Sequence, residues 1–109
     1  MIHGLVKQPM IFTVDDLERL PAVSRLAFLE CSGNSHDLWL PANPDFTVQD
    51  THGLTSTSEW TGVPLTTLLR EVGVRPGATW LLAEGNDSAH MDRSIPMEKA
   101  LDDAMIAYA

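Results

Sequence analysis

The chain has 109 residues, 44% of them hydrophobic and 20% charged, which is ordinary for one globular domain. Fifteen acidic residues against seven Lys and Arg give a formal charge of −8, which argues against a nucleic-acid partner because phosphates would be repelled. A single cysteine excludes an intrachain disulfide. No apolar run reaches the roughly 18 residues of a membrane-spanning helix, so we expect no membrane partner.

The first half of the chain predicts a strand, a helix, a second strand and a long irregular segment. Residues 2–6 predict a short strand, and residues 13–20 predict a brief helix with acidic residues in its first turn. Residues 23–31 predict the second strand. Residues 32–59 are rich in Ser, Gly, Asn and Pro, and a loop of this length in a compact domain is usually functional or disordered.

The second half predicts two helices and two strands. Residues 63–73 give the clearest helix, because three leucines and a valine form one apolar stripe that a glycine ends. Residues 78–83 predict a strand, and a short helix is expected after a proline at residues 97–101. Residues 105–109 predict a final apolar strand with no cap or turn after it. We therefore expect the chain to be cut inside a larger domain.

Cys31 lies where the second predicted strand meets a turn, in the run Glu30-Cys31-Ser32-Gly33-Asn34. A thiolate is a soft ligand, suited to a metal centre that brings its other ligands with it. A lone cysteine is more often a small buried hydrophobic residue. The local pattern leaves both interpretations open.

A second polar loop, Glu84-Gly85-Asn86-Asp87, follows a predicted strand. Gly85 permits close backbone approach, and the Asp87 carboxylate can accept hydrogen bonds from the N–H groups of a pterin. The alternative is a solvated turn, because these residues are common in turns. The four histidines lack the spacing of a zinc site, and no phosphate loop, dinucleotide fingerprint or hydrolase elbow is present.

Taken in order, several segments resemble the molybdenum-cofactor domain of the sulfite oxidase family. The Ser-Glu-Trp-Thr-Gly-Val-Pro-Leu run and the Ala-Glu-Gly-x-Asp loop are most similar to the bacterial branch of SoxC-type sulfite and sulfane dehydrogenases. The resemblance implies an α+β fold with a mixed sheet and short helices, of which residues 1–109 are the N-terminal half of a molybdopterin-binding oxidoreductase domain. The segments that carry it are residues 3–6 with Pro9, 31–34, 51–53, 57–65, 83–87 and 93–96.

The resemblance also implies the site. Cys31, in Cys-x-Gly-Asn, matches the one protein ligand to molybdenum, which is also catalytic, while two further sulfurs come from the pterin dithiolene. Asn34, Gly85 and Asp87 are placed at the molybdenum–molybdopterin cofactor. The implied reaction is oxidation of an inorganic sulfur compound, either sulfite or carrier-bound sulfane sulfur, by oxygen-atom transfer. The implied electron acceptor is a c-type cytochrome.

The family implies a periplasmic protein that forms homo- or hetero-oligomers at full length and takes sulfur from a carrier protein. This chain departs from the family because Ser35 and His36 follow the motif, where animal and plant members have two arginines. We find no signal-peptide pattern within the 109 residues, and we expect a truncated start and missing flanking segments that would complete the pocket. The alternatives are a cofactor-free fragment or non-catalytic remnant, and a related molybdoenzyme that acts on another substrate such as a sulfoxide.

Overall fold

The computed structural model describes residues 1–41 and 43–109. The chain folds into two compact units, one of residues 1–23 with 61–109 and one of residues 24–60. No helix in the described part is long and apolar enough to cross a membrane. The helices and strands are α1 (Val14–Glu18), β1 (Val23–Glu30), a 3₁₀ helix (His36–Trp39), α2 (Val48–His52), β2 (Thr55–Pro64), α3 (Leu65–Val72), β3 (Trp80–Glu84), β4 (Asp92–Pro96), α4 (Met97–Asp102) and β5 (Met105–Ala107).

The strands form two small sheets. One has the order β1-β2-β5, and its β2–β5 pairing is antiparallel, with Gly62 opposite Ala107. The other is the antiparallel hairpin of β3 and β4, in which Glu84 lies opposite Asp92. Together with the short helices, these sheets confirm the predicted α+β class.

The core of the unit formed by residues 1–23 and 61–109 is centred on α3. The predicted apolar stripe is buried, with Leu68 only 2% exposed and Val72 fully buried. Pro64 occupies the N-cap, and Gly73 ends the helix in the left-handed conformation, at φ 65°. The Gly73 N–H donates to the carbonyls of Leu69 and Arg70, which satisfies the end of the helix. The clearest predicted helix is thus confirmed.

Two other predictions for this unit have different outcomes. The helix after Thr13 is confirmed as α1, and Thr13 and Asp16 form a reciprocal capping box. The predicted strand over residues 2–6 is wrong, since this segment makes only isolated bridges, from Ile2 to Met10 and from Val6 to Val74. A bridge of one residue pair is too short to form a ladder.

The segment 32–59, predicted to be irregular, contains a 3₁₀ helix, α2 and the start of β2. A capping box between Thr47 and Asp50 begins α2, so this helix has a local signal. Residues 55–59 of β2 are polar and exposed, which explains why the sequence suggests a loop there. Strand β4 was also missed, while β1, β3, α4 and β5 lie where strands and a helix were predicted, with small shifts in their bounds.

Candidate functional site

Cys31 is exposed and directly follows β1, in the unit formed by residues 24–60. Its N–H donates to the carbonyl of Leu54 at 2.9 Å, and its own carbonyl accepts from the N–H of Asn34 at 2.9 Å. The thiol therefore lies on a hydrogen-bonded turn at the end of a strand. The alternative of a buried hydrophobic cysteine is wrong.

The surroundings of the sulfur leave room for a ligand. The Gly33 N–H donates to Cys31 Sγ at 3.4 Å. A Cβ atom added to Gly33 would lie 3.7 Å from Sγ, at an ordinary contact distance. A shallow depression of about 350 Å³ adjoins the thiol. It is lined by Leu29, Cys31, Gly53, Leu54, Thr55 and Ser56.

The side chain of Asn34 bonds within the same unit. Its Nδ2 donates to Glu30 Oε1 at 2.8 Å, and its Oδ1 accepts from the Leu54 N–H at 3.1 Å. Both the nitrogen and the oxygen of the Asn34 amide are thus hydrogen-bonded. Contact between Asn34 and the cofactor stays a prediction.

Gly85 and Asp87 lie in the loop that joins β3 to β4, in the other unit. Asp87 Oδ1 accepts from the N–H groups of Ala89 and His90, at 3.1 and 3.2 Å, while Gly85 N–H donates to the Met91 carbonyl at 2.9 Å. One carboxylate oxygen thus closes the turn. The other, Oδ2, has no hydrogen bond within the part of the chain that the structure describes. The cofactor roles of Gly85 and Asp87 stay predictions.

The four predicted site residues lie in two loops, one in each compact unit. The structure brings Cys31 and Asn34 together in one unit, and Gly85 and Asp87 together in the other. Among residues 1–41 and 43–109, no three His, Cys, Asp or Glu side chains form a group that could hold a metal ion. Within these residues, Cys31 is therefore not joined by other side chains that could complete a metal site. An exposed thiol with open space beside it fits a molybdenum–dithiolene group, because that group brings the other ligands of the metal with it.

Sequence reasoning missed two residues at this loop. Glu30 precedes Cys31, and its four-residue separation from Asn34 was the available signal for their contact. Leu54 lies twenty residues from Asn34, and nothing local in the sequence connects them. The contact depends on tertiary structure.

The unit that holds Cys31 is poor in positive charge. Residues 24–60 contain one Lys or Arg, Arg25. His36 Nδ1 lies 3.5 Å from Asp37 Oδ1, so a charge on the imidazole would face a carboxylate. Ser35, before it, has a left-handed φ of 65°. The same unit contains five acidic residues, Glu30, Asp37, Asp45, Asp50 and Glu59.

Comparisons with known proteins identify the family to which this chain belongs. Residues 1–109 match the family described as the oxidoreductase molybdopterin binding domain. The structure is similar to the sulfane dehydrogenase SoxCD of Paracoccus pantotrophus, with a TM-score of 0.89 and 44% identity, over 97% of this chain and 27% of that chain.

Curated relatives include an NADH nitrate reductase of Ulva prolifera, 32% identical over 121 residues, and the mitochondrial sulfite oxidase of Drosophila melanogaster, 33% identical over 115 residues. Each match covers 98% of this chain but only 14% of the nitrate reductase and 20% of the sulfite oxidase. The chain therefore spans a minor part of its relatives.

Proposed function

Since the chain belongs to the oxidoreductase molybdopterin binding domain family, we propose that it is part of a molybdenum-cofactor enzyme that oxidises an inorganic sulfur compound. The family membership confirms the resemblance found in the sequence. The observation that carries the proposal is the exposed Cys31 thiol, on a hydrogen-bonded turn with open space beside its sulfur. The 44% identity to a sulfane dehydrogenase favours sulfur chemistry.

In this proposal Cys31 holds the metal through its thiolate. The Gly33 N–H orients the sulfur, and Asp87 accepts hydrogen bonds from the pterin with its Oδ2 while Oδ1 keeps the loop closed. Gly85 lets the backbone approach the cofactor closely. The bound cofactor would supply oxygen-atom transfer and accept two electrons from the substrate; the protein binds, orients and shields it.

The proposed substrate is a sulfur atom carried on a protein or another thio compound, in preference to free sulfite. Sulfite is a small dianion, and arginine binds such oxyanions through two parallel hydrogen bonds that Ser35 and His36 cannot supply. The Asp37 carboxylate beside His36 further disfavours an anion. Arg93 is exposed, and its Nη1 donates to the Asp92 carbonyl, so we assign it no role in sulfite binding.

We propose a c-type cytochrome as the electron acceptor, a periplasmic location and an oligomeric full-length protein, all on family resemblance. Two alternatives to this proposal remain, one with a different substrate and one without catalysis. The first alternative is a related molybdoenzyme that acts on another substrate, such as a sulfoxide, and the similarity to nitrate reductases favours a substrate other than an inorganic sulfur compound. A cofactor-free remnant would keep the fold without turnover.

Steady-state kinetics of the full-length protein test the proposal, with cytochrome c as acceptor and sulfite or carrier-bound sulfane sulfur as donor. We expect a higher kcat/KM for the carrier-bound sulfur, together with a high KM for sulfite. Nitrate and a sulfoxide, assayed with a reduced dye, serve as controls. A micromolar KM for sulfite without gain from carrier-bound sulfur would contradict the substrate proposal, and turnover of nitrate or the sulfoxide alone would contradict sulfur oxidation.

A further inference from the structure

We infer that Asn34 is a positioning residue for the Cys31 thiolate, acting through a bridge between Glu30 and Leu54; this role rests on the proposed function. The Asn34 bridge consists of two hydrogen bonds, from Asn34 Nδ2 to Glu30 Oε1 at 2.8 Å and from the Leu54 N–H to Asn34 Oδ1 at 3.1 Å. It connects the residue before Cys31 to the residue before β2.

The bridge encloses Cys31 together with backbone hydrogen bonds. The Cys31 N–H donates to the Leu54 carbonyl, and the Asn34 N–H donates to the Cys31 carbonyl, both at 2.9 Å. The Leu54 carbonyl therefore accepts a hydrogen bond from the Cys31 N–H, while the Leu54 N–H donates to Asn34 Oδ1. Both peptide groups flanking the Cys31 Cα are thus held by residues that the bridge connects.

The chemistry of the two partners fixes the orientation of the Asn34 amide. A carboxylate only accepts hydrogen bonds, so Nδ2 must face Glu30. A backbone N–H only donates, so Oδ1 must face Leu54. An aspartate at position 34 could accept from Leu54 but would repel Glu30, and an alanine could do neither.

The consequence for the sulfur comes through Gly33. This residue lies between Cys31 and Asn34, and its N–H donates to Sγ at 3.4 Å. A hydrogen bond to a ligating sulfur tunes the electronic properties of the metal centre, as outer contacts do in other metal sites. Holding Asn34 in place keeps the Gly33 N–H directed at Sγ. The bridge thereby sets the direction and the electron donation of the thiolate.

The experiment uses four forms of the full-length protein besides wild type. Asn34→Ala removes the bridge, and Asn34→Asp keeps the contact to Leu54 but opposes two carboxylates. The double variant Glu30→Gln with Asn34→Asp rebuilds the bridge with the first hydrogen bond reversed, because the glutamine Nε2 donates to the new carboxylate. Asn43→Ala is the matched control, since among residues 1–41 and 43–109 its Oδ1 accepts from the Asp45 N–H alone.

The first readout is hydrogen–deuterium exchange at the Cys31 and Leu54 amides, measured by mass spectrometry on cofactor-free protein. We expect Asn34→Ala and Asn34→Asp to accelerate exchange about two- to tenfold, the range for loss of a modest hydrogen bond. The double variant and Asn43→Ala should match wild type. Unchanged exchange at both amides in Asn34→Ala would contradict the claim that the Asn34 bridge holds the loop in place.

The second readout is the sulfur-to-molybdenum charge-transfer absorption of the cofactor-loaded protein. We expect a shifted band in both single Asn34 variants at unchanged molybdenum content, and recovery in the double variant. A double variant as altered as Asn34→Asp alone would overturn the positioning role. Wild-type protein that binds no molybdenum would contradict the proposed function instead, and the exchange comparison would still test the bridge.

Discussion

The hydrogen bonds of Cys31 come from peptide groups. Its sulfur accepts from the Gly33 N–H, and its own N–H donates to Leu54. The backbone of a folded turn is already ordered, whereas fixing a long side chain costs up to about 2 kcal/mol of further rotamer freedom. We therefore expect the loop to keep its conformation if Cys31 binds a metal.

Asp50 offers a pH-dependent test of the helix that leads into this site. The hydroxyl and then the backbone N–H of Thr47 donate to its carboxylate, which lowers the pKa of Asp50 from its ordinary value of 3.8. A lowered pKa stabilises the folded state above the ordinary value, and this contribution is lost as pH falls through the folded-state pKa. Helix α2 is therefore expected to loosen in acid.

We predict that Asp50→Asn accelerates amide exchange over residues 50–52 near neutral pH, and that the ratio of variant to wild-type rates falls toward one below pH 3.8. Thr47→Ala should reproduce part of the effect, because the backbone donor remains. The measurement is hydrogen exchange of full-length protein, compared at equal pH. A rate ratio that is the same at neutral and acid pH would contradict this account.

Among the elements, β2 contributes to both compact units, because residues 24–60 and 61–109 divide within it. At Gly62 the backbone of β2 approaches the backbone of β5 closely. A Cβ atom there would lie 2.6 Å from the Ala107 Cα and would clash with the carbonyl oxygen of Ile106. The tight approach of the two strands depends on this glycine.

We predict that Gly62→Ala destabilises the full-length protein by about 1–3 kcal/mol, the usual cost of overpacking. Gly33→Ala is the matched control, since its Cβ would make only an ordinary contact with Cys31 Sγ at 3.7 Å. Urea denaturation measures both. Equal stability of the two variants would show that β5 moves away from β2 without cost.

The sequence predicted those elements that carry their own boundary signals. Helix α3 has an apolar stripe between Pro64 and Gly73, and α1 has its cap at Thr13. Strands β2 and β4 were missed because their exposed polar residues resemble a loop, and pairing with distant partners specifies them. Both site loops were found at strand ends. The bridge through Leu54 was not, since a contact across twenty residues leaves no local pattern.

At the scale of the whole molecule, many large apolar side chains are exposed. In β1, Leu26 is 77% exposed and Phe28 is 63% exposed, and Trp39 in the 3₁₀ helix is 88% exposed. Surface of this kind marks contact with other protein. Because the chain matches only 27% of the SoxCD chain, we expect further polypeptide of a full-length protein to cover it.

We therefore predict that the 109-residue chain, expressed alone, forms oligomers or precipitates and retains no stoichiometric molybdenum. Exposed apolar side chains and the edge of β5 would promote association. Gel filtration with light scattering and elemental analysis provide the measurement, with the full-length protein as control. A monodisperse monomer that carries one molybdenum per chain would contradict the prediction.

The most direct test of the account is X-ray absorption at the molybdenum edge, on full-length wild-type protein and on Cys31→Ser. We predict that the metal in wild type has one more sulfur neighbour than in Cys31→Ser, where a hydroxyl is a harder and poorer donor. The variant should also lose turnover, and Ser32→Ala should retain the wild-type spectrum. The same number of sulfur neighbours in wild type and Cys31→Ser would show that Cys31 does not bind the metal.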